Sequence, residues 1–380
     1  MVTVLIAPDK FKGSLTAAQV AAAVASGVRR ARPDVHLRSV PVADGGEGTL
    51  AAALAAGFEP APVTATGPTG DPVATGFARR GDVAVVELAD ACGLGRLPDG
   101  PAPLTASSRG AGDVIGAAID AGCRRIVLGI GGSASTDGGA GLVRSLGARL
   151  LDAAGEELPD GGAALADLAT IDLGPLARRL ADVELVVACD VDNPLTGPAG
   201  AAATYGPQKG ADAGQVARLD AALGRFADVV ARITGQDLTD TTGAGAAGGV
   251  GFAALALLGG RLRPGIDLVL DLVGFHDRLS GADLVVTGEG ALDEQTLHGK
   301  APAGVAAAAR AAGIPVVAVC GTNLLGAGRL RDAGIGSAYA LTDVEPDLQR
   351  CLSDAAVLLD DLGARIAAGH LPVPAAGVRR

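Results

Sequence analysis

The sequence predicts a two-domain α/β protein with parallel sheets. The chain has 380 residues, which is more than one typical hydrophobic core accommodates. Hydrophobic residues make up 49% of it and charged residues 19%, so a large core can form and disorder is not expected. Apolar runs alternate with Ala-rich segments at both ends of the chain, whereas the middle is patterned differently, which indicates a second domain.

The first sixty residues follow the pattern β-α-β-α. An unbroken apolar run predicts a strand over 2–7 that is buried on both faces. An Ala-rich segment with helically spaced polar residues predicts a helix over 16–30. A second strand is predicted over 37–42, and a short helix follows to about Ala56.

The last hundred residues show the same alternation. Strands are predicted over 283–287, 315–320 and 336–341, with helices over 301–312 and 346–368. Strands and helices of these lengths build a parallel sheet that is covered on both faces. We therefore predict that both chain ends form one Rossmann-like domain.

The middle of the chain begins with a segment, 60–76, that is rich in Pro, Gly and Thr and indicates a boundary or a hairpin. The strands predicted after it are 83–88, 125–130 and 184–188, and the predicted helices are 108–121, 138–150, 211–234 and 248–258. We predict a Rossmann-like α/β domain over 1–62 and 282–380, with a second α/β domain over 63–281 inserted into it. Two consecutive domains that divide near residue 180 are the alternative.

Composition excludes several classes of partner. The net charge of −11 repels polyanions, and 2% aromatic residues offer few stacking platforms, so we expect no nucleic acid partner. A small anionic substrate is still compatible with that charge, because a local pocket can be positive. The alternative is that the net charge serves solubility only. The first residues, MVTVLIAPDK, fit a strand better than a signal peptide, and the Ala-rich apolar stretches are interrupted, so no membrane span is expected. Five cysteines without a CxxC motif favour reduced thiols in the cytoplasm.

Lysine is rare in this chain, and its positions are informative. Of the 31 basic residues only four are lysine, namely Lys10, Lys12, Lys209 and Lys300, and each lies within three residues of a glycine. Where arginine serves general surface roles, a retained lysine marks a place that needs a compact ammonium, such as a phosphate or carboxylate contact. Chance retention on loops is the alternative.

The most distinctive segment is GIGGSASTDGGAG, residues 129–141, which we call the glycine-rich loop. It follows a predicted strand and precedes a helix, so its backbone N–H groups and the helix N-terminus suit an anion such as a nucleotide phosphate. It lacks the GxxxxGK[ST] pattern of the P-loop. Its first part, 129–134, is a weak match to the G-x-G-x-x-A dinucleotide fingerprint, which leaves nicotinamide binding as an alternative. A turn without a ligand is another.

Two further loops leave the predicted strands of the first sixty residues at one sheet edge, where ligands of parallel sheets collect. In PDKFKGS, the side chains of Lys10, Lys12 and Ser14 suit an anionic substrate group. In ADGGEGT, residues 43–49, Asp44 and Glu47 suit hydroxyl groups or a hydrated metal; a turn or N-cap role is the alternative.

Two carboxylates follow the strand at 184–188. Asp190 or Asp192 can act as general base for a hydroxyl or as a Mg²⁺ ligand, and an Asx turn before a proline is the alternative. The segment 287–300 adds Glu289, Asp293 and His298 after another strand, although a lone histidine is more often structural. Phosphoryl transfer needs this set of phosphate donors, lysine, carboxylates and a base.

The motifs DKFKGSLTA, ADGGEGT, GIGGSASTDGGAG, CDVDNPLTG, YGPQKGA and GEGALDEQTLHGKAP resemble the successive signatures of the class I glycerate kinases. They occur in the family's order over residues 9–302. The resemblance implies two α/β domains, one of them Rossmann-like, with the active site between them. It also implies ATP-dependent phosphorylation of D-glycerate with Mg²⁺, to 2-phosphoglycerate or, in some descriptions, 3-phosphoglycerate.

Roles follow from the residues and the resemblance together. The predicted catalytic residues are Asp190 and Lys10. The predicted substrate-binding residues are Lys12, Ser14, Asp44, Gly45, Gly46 and Glu47. The predicted nucleotide-binding residues are Gly131, Gly132, Ser133, Ser135, Thr136, Asp137, Lys209 and Lys300. The predicted metal ligands are Asp190, Asp192 and Glu289.

Three alternatives to glycerate phosphorylation stay open at this point. They are a kinase of another small hydroxy acid, a nicotinamide-dependent oxidoreductase, and a two-domain binding protein without catalysis. The expected partners are D-glycerate and ATP, and a homodimer is one alternative for the assembly.

Overall fold

The structure is a computed structural model that describes residues 2–297 and 299–372. The described residues form thirteen β-strands: β1 (Thr3–Pro8), β2 (His36–Ser39), β3 (Glu59–Thr66), β4 (Pro72–Arg80), β5 (Val83–Glu87), β6 (Arg125–Gly129), β7 (Arg149–Leu151), β8 (Thr170–Asp172), β9 (Glu184–Ala188), β10 (Arg261–Arg263), β11 (Leu284–Leu292), β12 (Val316–Asn323) and β13 (Ser337–Ala340).

The same residues form fifteen α-helices: α1 (Ala17–Ala31), α2 (Thr49–Ala55), α3 (Leu88–Cys92), α4 (Arg109–Asp120), α5 (Ala140–Ser145), α6 (Gly174–Leu180), α7 (Ala201–Tyr205), α8 (Ala213–Thr234), α9 (Ala246–Ala256), α10 (Gly265–Leu272), α11 (Phe275–Leu279), α12 (Ala301–Ala311), α13 (Ala327–Asp332), α14 (Leu348–Ser353) and α15 (Ala355–His370). None of these helices combines the length and the apolar composition that crossing a membrane requires.

Unit 1 comprises the residues up to Asp44 and those from Val269 onward. Its five-stranded sheet has the order β13-β12-β11-β1-β2, and every pair of neighbours is parallel. Helices α1 and α15 cross so closely that a Cβ on Gly27 would lie 1.7 Å from the carbonyl oxygen of Asp360. The parallel sheet predicted from the two chain ends is confirmed.

Unit 2 comprises Gly45–Leu268. Its six-stranded sheet has the order β10-β9-β6-β5-β4-β3, in which the first four strands are parallel and β4 and β3 extend the sheet antiparallel. The hairpin β3–β4 covers the Pro- and Gly-rich segment, which confirms the hairpin interpretation. In the core of this unit the rings of Phe226 and Phe252 meet edge to face at 5.7 Å. The compact units divide after Asp44 and Leu268, whereas the domain boundaries after residues 62 and 281 stay a prediction.

Several predicted elements end elsewhere, for local reasons. The helix predicted over 138–150 is only α5, because Gly147 adopts φ +113° and the chain then enters β7. Strand β2 ends at Ser39, two residues before Pro41, which has no N–H to donate to a ladder. The last predicted helix is two helices, α14 and α15, that divide at Asp354.

Strand β11 runs five residues beyond the prediction, to Leu292. It does so because β12 continues beside it, pairing Glu289 with Cys320 and Leu292 with Asn323. Glu289 therefore lies in a strand and not in a loop, and the sheet fixes its backbone.

Candidate functional site

In unit 2, two glycine-rich segments meet backbone to backbone at the carboxyl ends of β6 and β9. A Cβ on Gly129 would lie 2.7 Å from the carbonyl oxygen of Gly45, and one on Gly131 would lie 2.8 Å from the Cα of Gly46. Gly45 itself has φ +88°, and its Cβ would lie 2.6 Å from the Cβ of Ala188. Side chains at these positions would separate the segments, so the glycines allow the ADGGEGT segment to reach the glycine-rich loop.

The buried carboxylate of Glu87, at the end of β5, holds the ADGGEGT segment in place. Its Oε2 accepts hydrogen bonds from the backbone N–H of Gly48 at 3.1 Å and of Leu50 at 3.0 Å, which caps the N-terminus of α2. The Glu47 side chain is exposed beside this turn. Sequence reasoning missed Glu87; the available signal was a glutamate that closes the apolar strand VAVVE.

Asp137 lies at the centre of the glycine-rich loop and is fully buried. Its Oδ2 accepts hydrogen bonds from the backbone N–H and the hydroxyl of Ser108, both at 2.8 Å, and from Gly141 N–H at 3.1 Å. Its Oδ1 accepts from Gly139 N–H at 3.2 Å. These contacts make Asp137 the group that orders the loop, and its predicted contact with nucleotide stays a prediction.

Lys209 reaches the same loop from the turn that follows α7. Its side chain is buried, with 2% of the residue exposed, and its Nζ donates hydrogen bonds to Ser133 Oγ at 2.9 Å and to the carbonyl oxygen of Ser135. Burial strips the ammonium of water and lowers the pKa of Lys209 to about 8, although the nearby charge of Asp137 opposes that shift. One of the four rare lysines therefore contacts the predicted phosphate loop.

The loop is accessible to solvent at one end only. Gly131 is half-buried and Gly132 is exposed, whereas every residue from Ser133 to Gly141 is buried. The hydroxyls of Ser135 and Thr136 are buried without a hydrogen-bond partner among the described residues. Each such group costs about 1–3 kcal/mol, so the surrounding contacts must hold this conformation firmly.

A segment that sequence reasoning treated as the start of a helix supports the loop from behind. Gly248 accepts a hydrogen bond from Gly138 N–H at 2.9 Å, and a Cβ on Gly249 would lie 2.7 Å from the Cα of Gly138. Gly248, Gly249 and Ala247 all have positive φ inside α9, with Ala247 at +53°. The signal in the sequence was the glycine run TGAGAAGGVG.

Asp190 and Asp192 follow β9 and are exposed. The Oδ1 of Asp190 accepts a hydrogen bond from Gly265 N–H at 2.7 Å, which ties the Asp190 side chain to the N-terminus of α10. The neighbouring Asn193 accepts a hydrogen bond from Tyr205 Oη at 2.6 Å, and this contact fixes the turn that carries both aspartates. Their roles as base and metal ligands stay predictions.

In unit 1, three carboxylates lie near one another at the carboxyl end of the parallel sheet; we call Asp9, Asp44 and Glu289 the acidic cluster. Asp9 follows β1 and is 5% exposed, and its Oδ1 accepts a hydrogen bond from Lys10 N–H at 2.6 Å. Burial raises the pKa of Asp9 to about 7; Asp44 and Glu289 add to the rise, and Lys10, whose Nζ lies 3.9 Å away, opposes it. Sequence reasoning missed Asp9, although it stands beside Lys10 in the PDKFKGS motif.

Glu289 is also buried, and its Oε1 accepts a hydrogen bond from the hydroxyl of Thr296. The Nζ of Lys300 lies 4.0 Å from its Oε2. Burial raises the pKa of Glu289, while Thr296 and Lys300 oppose that shift. The structure thus brings two of the rare lysines, Lys10 and Lys300, to the acidic cluster.

The other predicted residues of unit 1 are less enclosed. Lys12 is exposed, and the half-buried Ser14 donates its hydroxyl to the carbonyl oxygen of Leu352 at 2.7 Å. His298 lies outside the described residues. The exposed side chain of Lys12 is therefore accessible to a dissolved anion.

The dinucleotide alternative finds little support in this geometry. The fingerprint needs a helix that opens within the motif, but α5 begins at Ala140, well after Ala134. The strand before it, β6, also belongs to the interior of unit 2 and not to the first β-α-β unit of the chain.

Comparison with known proteins gives a consistent result. The profile described as the Glycerate kinase family matches residues 4–370. The chain is 45% identical over 369 residues to the "Glycerate kinase" of Bacillus subtilis (strain 168), covering 96% of this chain and 97% of that protein. It is 43% identical to the "Glycerate 2-kinase" of Escherichia coli (strain K12), with coverage of 89% and 90%.

A solved crystal structure agrees with these relatives. It comes from Salmonella typhimurium LT2, is described as a glycerate kinase 2, and superposes on this chain with a TM-score of 0.84 at 42% identity. The match covers 97% of each chain. The fold, the order of the motifs and these relatives lead to one conclusion: the chain belongs to the glycerate kinase family.

Proposed function

We propose that this chain transfers the γ-phosphoryl group of ATP to D-glycerate and that the product is 2-phosphoglycerate. The family and the name of the Escherichia coli relative support the reaction and the choice of hydroxyl. The observation that carries the proposal is the glycine-rich loop, in which close glycine packing and the buried Lys209 order a segment suited to phosphate. Phosphorylation to 3-phosphoglycerate is the alternative outcome.

The residues of unit 1 are assigned to the acid substrate. Lys10 and Lys12 attract the carboxylate of glycerate, because both carry a compact ammonium and Lys12 is exposed. The hydroxyl of Ser14 donates to the carbonyl oxygen of Leu352, so its oxygen is an acceptor for a hydroxyl group of glycerate. Lys300, beside Glu289, is assigned to the transferring phosphoryl group, whose negative charge it offsets.

The residues of unit 2 are assigned to the nucleotide and the attacking hydroxyl. The accessible end of the glycine-rich loop, Gly131 and Gly132, receives the phosphates through backbone N–H groups. Asp190 orients or deprotonates the attacking hydroxyl; the hydrogen bond from Gly265 N–H to its Oδ1 holds its side chain at the start of α10.

The carboxylates of this chain fit Mg²⁺, which binds proteins through one or two carboxylates and completes its shell with water and substrate phosphate. Within residues 2–297 and 299–372 there is no ready-made group of three His, Cys, Asp or Glu ligands. The candidate ligands are Asp190, Asp192, Glu289 and Asp44. When bound, the ion neutralises charge on the phosphate oxygens.

The reaction is tested by ³¹P NMR of a mixture of the chain, ATP, Mg²⁺ and D-glycerate. The expected result is a new phosphomonoester signal that coincides with added 2-phosphoglycerate. Coincidence with 3-phosphoglycerate would move the attack to the other hydroxyl. If ADP forms only with a different hydroxy acid, that acid is the substrate instead of D-glycerate. If no acid is phosphorylated, the proposal is refuted.

The setting of the reaction is part of the same proposal. All five cysteine thiols are free, which suits the reducing cytoplasm. We place the enzyme there. Titration of the chain with NADH, followed by fluorescence, tests the nicotinamide alternative, and no binding is expected.

A further inference from the structure

Lys209 differs from the other three lysines in how completely it is enclosed. Only 2% of the residue is exposed, and its Nζ already donates to two acceptors, Ser133 Oγ and the carbonyl oxygen of Ser135. Both acceptors belong to the glycine-rich loop. Burial closes the ammonium off from solvent, and these two hydrogen bonds tie it to the loop.

The loop is fastened at several points around this lysine. Ala134 N–H donates to the carbonyl oxygen of Cys92 at 2.9 Å, and Gly132 accepts from Leu94 N–H at 3.1 Å. On the far side, Gly138 N–H donates to Gly248. Between these backbone contacts, Lys209 is the side chain that joins Ser133 to Ser135.

The nearby carboxylate of Asp137 does not replace the two loop acceptors of Lys209. Asp137 favours its charged form, but both carboxylate oxygens of Asp137 accept hydrogen bonds from Ser108, Gly139 and Gly141. An ammonium this deeply buried therefore depends on the two loop acceptors, Ser133 Oγ and the carbonyl oxygen of Ser135. Such an arrangement suits a fixed scaffold better than an exchangeable ligand contact.

We propose that Lys209 is a positioning residue, which shapes the glycine-rich loop through Ser133 and Ser135 and does not itself bind the nucleotide phosphates. The proposal rests on the proposed function and replaces the direct contact predicted for Lys209 from the sequence. The phosphates then meet the accessible end of the loop at Gly131 and Gly132, whose backbone the lysine keeps in place.

Hydrogen–deuterium exchange of the full ligand-free chain separates the two roles. A positioning lysine shapes the loop before any nucleotide is present, so Lys209→Met is expected to raise exchange in peptides covering 129–141 at least tenfold. Peptides of unit 1 serve as the internal reference, and Lys12→Met, which alters an exposed lysine of unit 1, is the matched control. Wild-type exchange in 129–141 together with lost ATP affinity would show that Lys209 binds phosphate directly and would overturn the proposal.

A double-substitution cycle gives an independent test. Lys209→Met and Ser133→Ala each remove one partner of the same hydrogen bond, so their effects on kcat/KM for ATP should not multiply. The kcat/KM of the double variant is expected to lie within about threefold of that of Lys209→Met. Fully multiplicative effects would overturn the proposal.

If Lys209→Met fails to fold, Ser133→Ala alone decides the question, because unchanged loop exchange in that variant would refute the role of the contact. The exchange measurement needs no activity. A chain that never phosphorylates glycerate would therefore refute the proposed function and leave the role of Lys209 in loop order separately measurable.

Discussion

The buried carboxylate of Asp9 gives the sharpest expectation about stability. Asp9→Asn keeps the shape of the side chain and an Oδ1 that can accept from Lys10 N–H, but it removes the negative charge. The pKa of Asp9 rises from 3.8 to about 7 on folding, chiefly through burial. A rise of about 3 pKa units corresponds to roughly 4 kcal/mol. This is the largest amount by which ionised Asp9 lowers the free energy of unfolding of unit 1.

The sign of the pH dependence follows from this direction. Below about pH 4 the carboxyl is protonated in both the folded and the unfolded chain, so Asp9 costs nothing. Between pH 4 and 7 the unfolded chain releases its proton first, and the stability of the wild type falls as the pH rises. Above pH 7 the whole cost is present. Asp9→Asn is thus expected to be more stable than wild type at pH 8 and to lose that advantage towards pH 4.

The assay is urea unfolding in EDTA at pH 5 and pH 8, in a Tyr205→Phe background. The chain has two tyrosines and no tryptophan, so fluorescence then reports Tyr339 in unit 1. An exposed aspartate, Asp34, provides the matched control, because its hydrogen bond to Arg32 lowers its pKa and Asp34→Asn should show no gain at pH 8. Equal stability of Asp9→Asn and wild type at both pH values would show that Asp9 ionises normally and would refute the reasoning.

Three further expectations follow from the contacts in unit 2. Asp190→Asn should reduce turnover about a hundredfold or more while urea unfolding stays unchanged, as loss of a general base does; near-normal turnover would remove Asp190 from the mechanism. Gly45→Ala should lower the free energy of unfolding by about 3 kcal/mol, because the new Cβ would meet the Cβ of Ala188 and φ is +88°. Gly57→Ala, which has open space around it, should lower it by only about 1 kcal/mol. Equal losses in urea unfolding would contradict the packing argument. Glu87→Ala should lose about 2 kcal/mol by uncapping α2, and a neutral result in the same assay would show that water replaces the carboxylate.

Most strands of the two large sheets could be predicted because they carry their own signal, whereas the short edge strand β10 was missed. Val4, Leu5 and Ile6 are fully buried in β1, and a strand covered on both faces shows an unbroken apolar run. The hairpin β3–β4 was one of two interpretations of its Pro-, Gly- and Thr-rich segment, the other being a domain boundary. Local pattern and tertiary environment agree at these positions, so a single sequence suffices.

The carboxylates were harder to rank, because burial of a charge depends on distant segments. Asp9 and Lys10 are neighbours in the chain, but only the packing of β1 beside β11 shows that the aspartate is enclosed and lies near Glu289. Glu87 looked like the end of a strand until its contacts to the start of α2 were visible. Lys209 was predicted to bind the nucleotide, but its hydrogen bonds to the glycine-rich loop could not be predicted from the sequence.

The glycines show why the loops were harder to predict from the sequence than the sheets. Gly45 is far in the chain from Gly129 and Gly131, and each of the three is required because another segment lies where its side chain would be. A glycine in the sequence indicates that a close approach is permitted, but it does not name the partner. The partner is set by the parallel order of β6 and β9, which brings their carboxyl ends to one edge. The shape of the glycine-rich loop is consequently a property of the whole of unit 2, and a substitution behind the loop, at Gly248 for example, should disturb it as much as one within it.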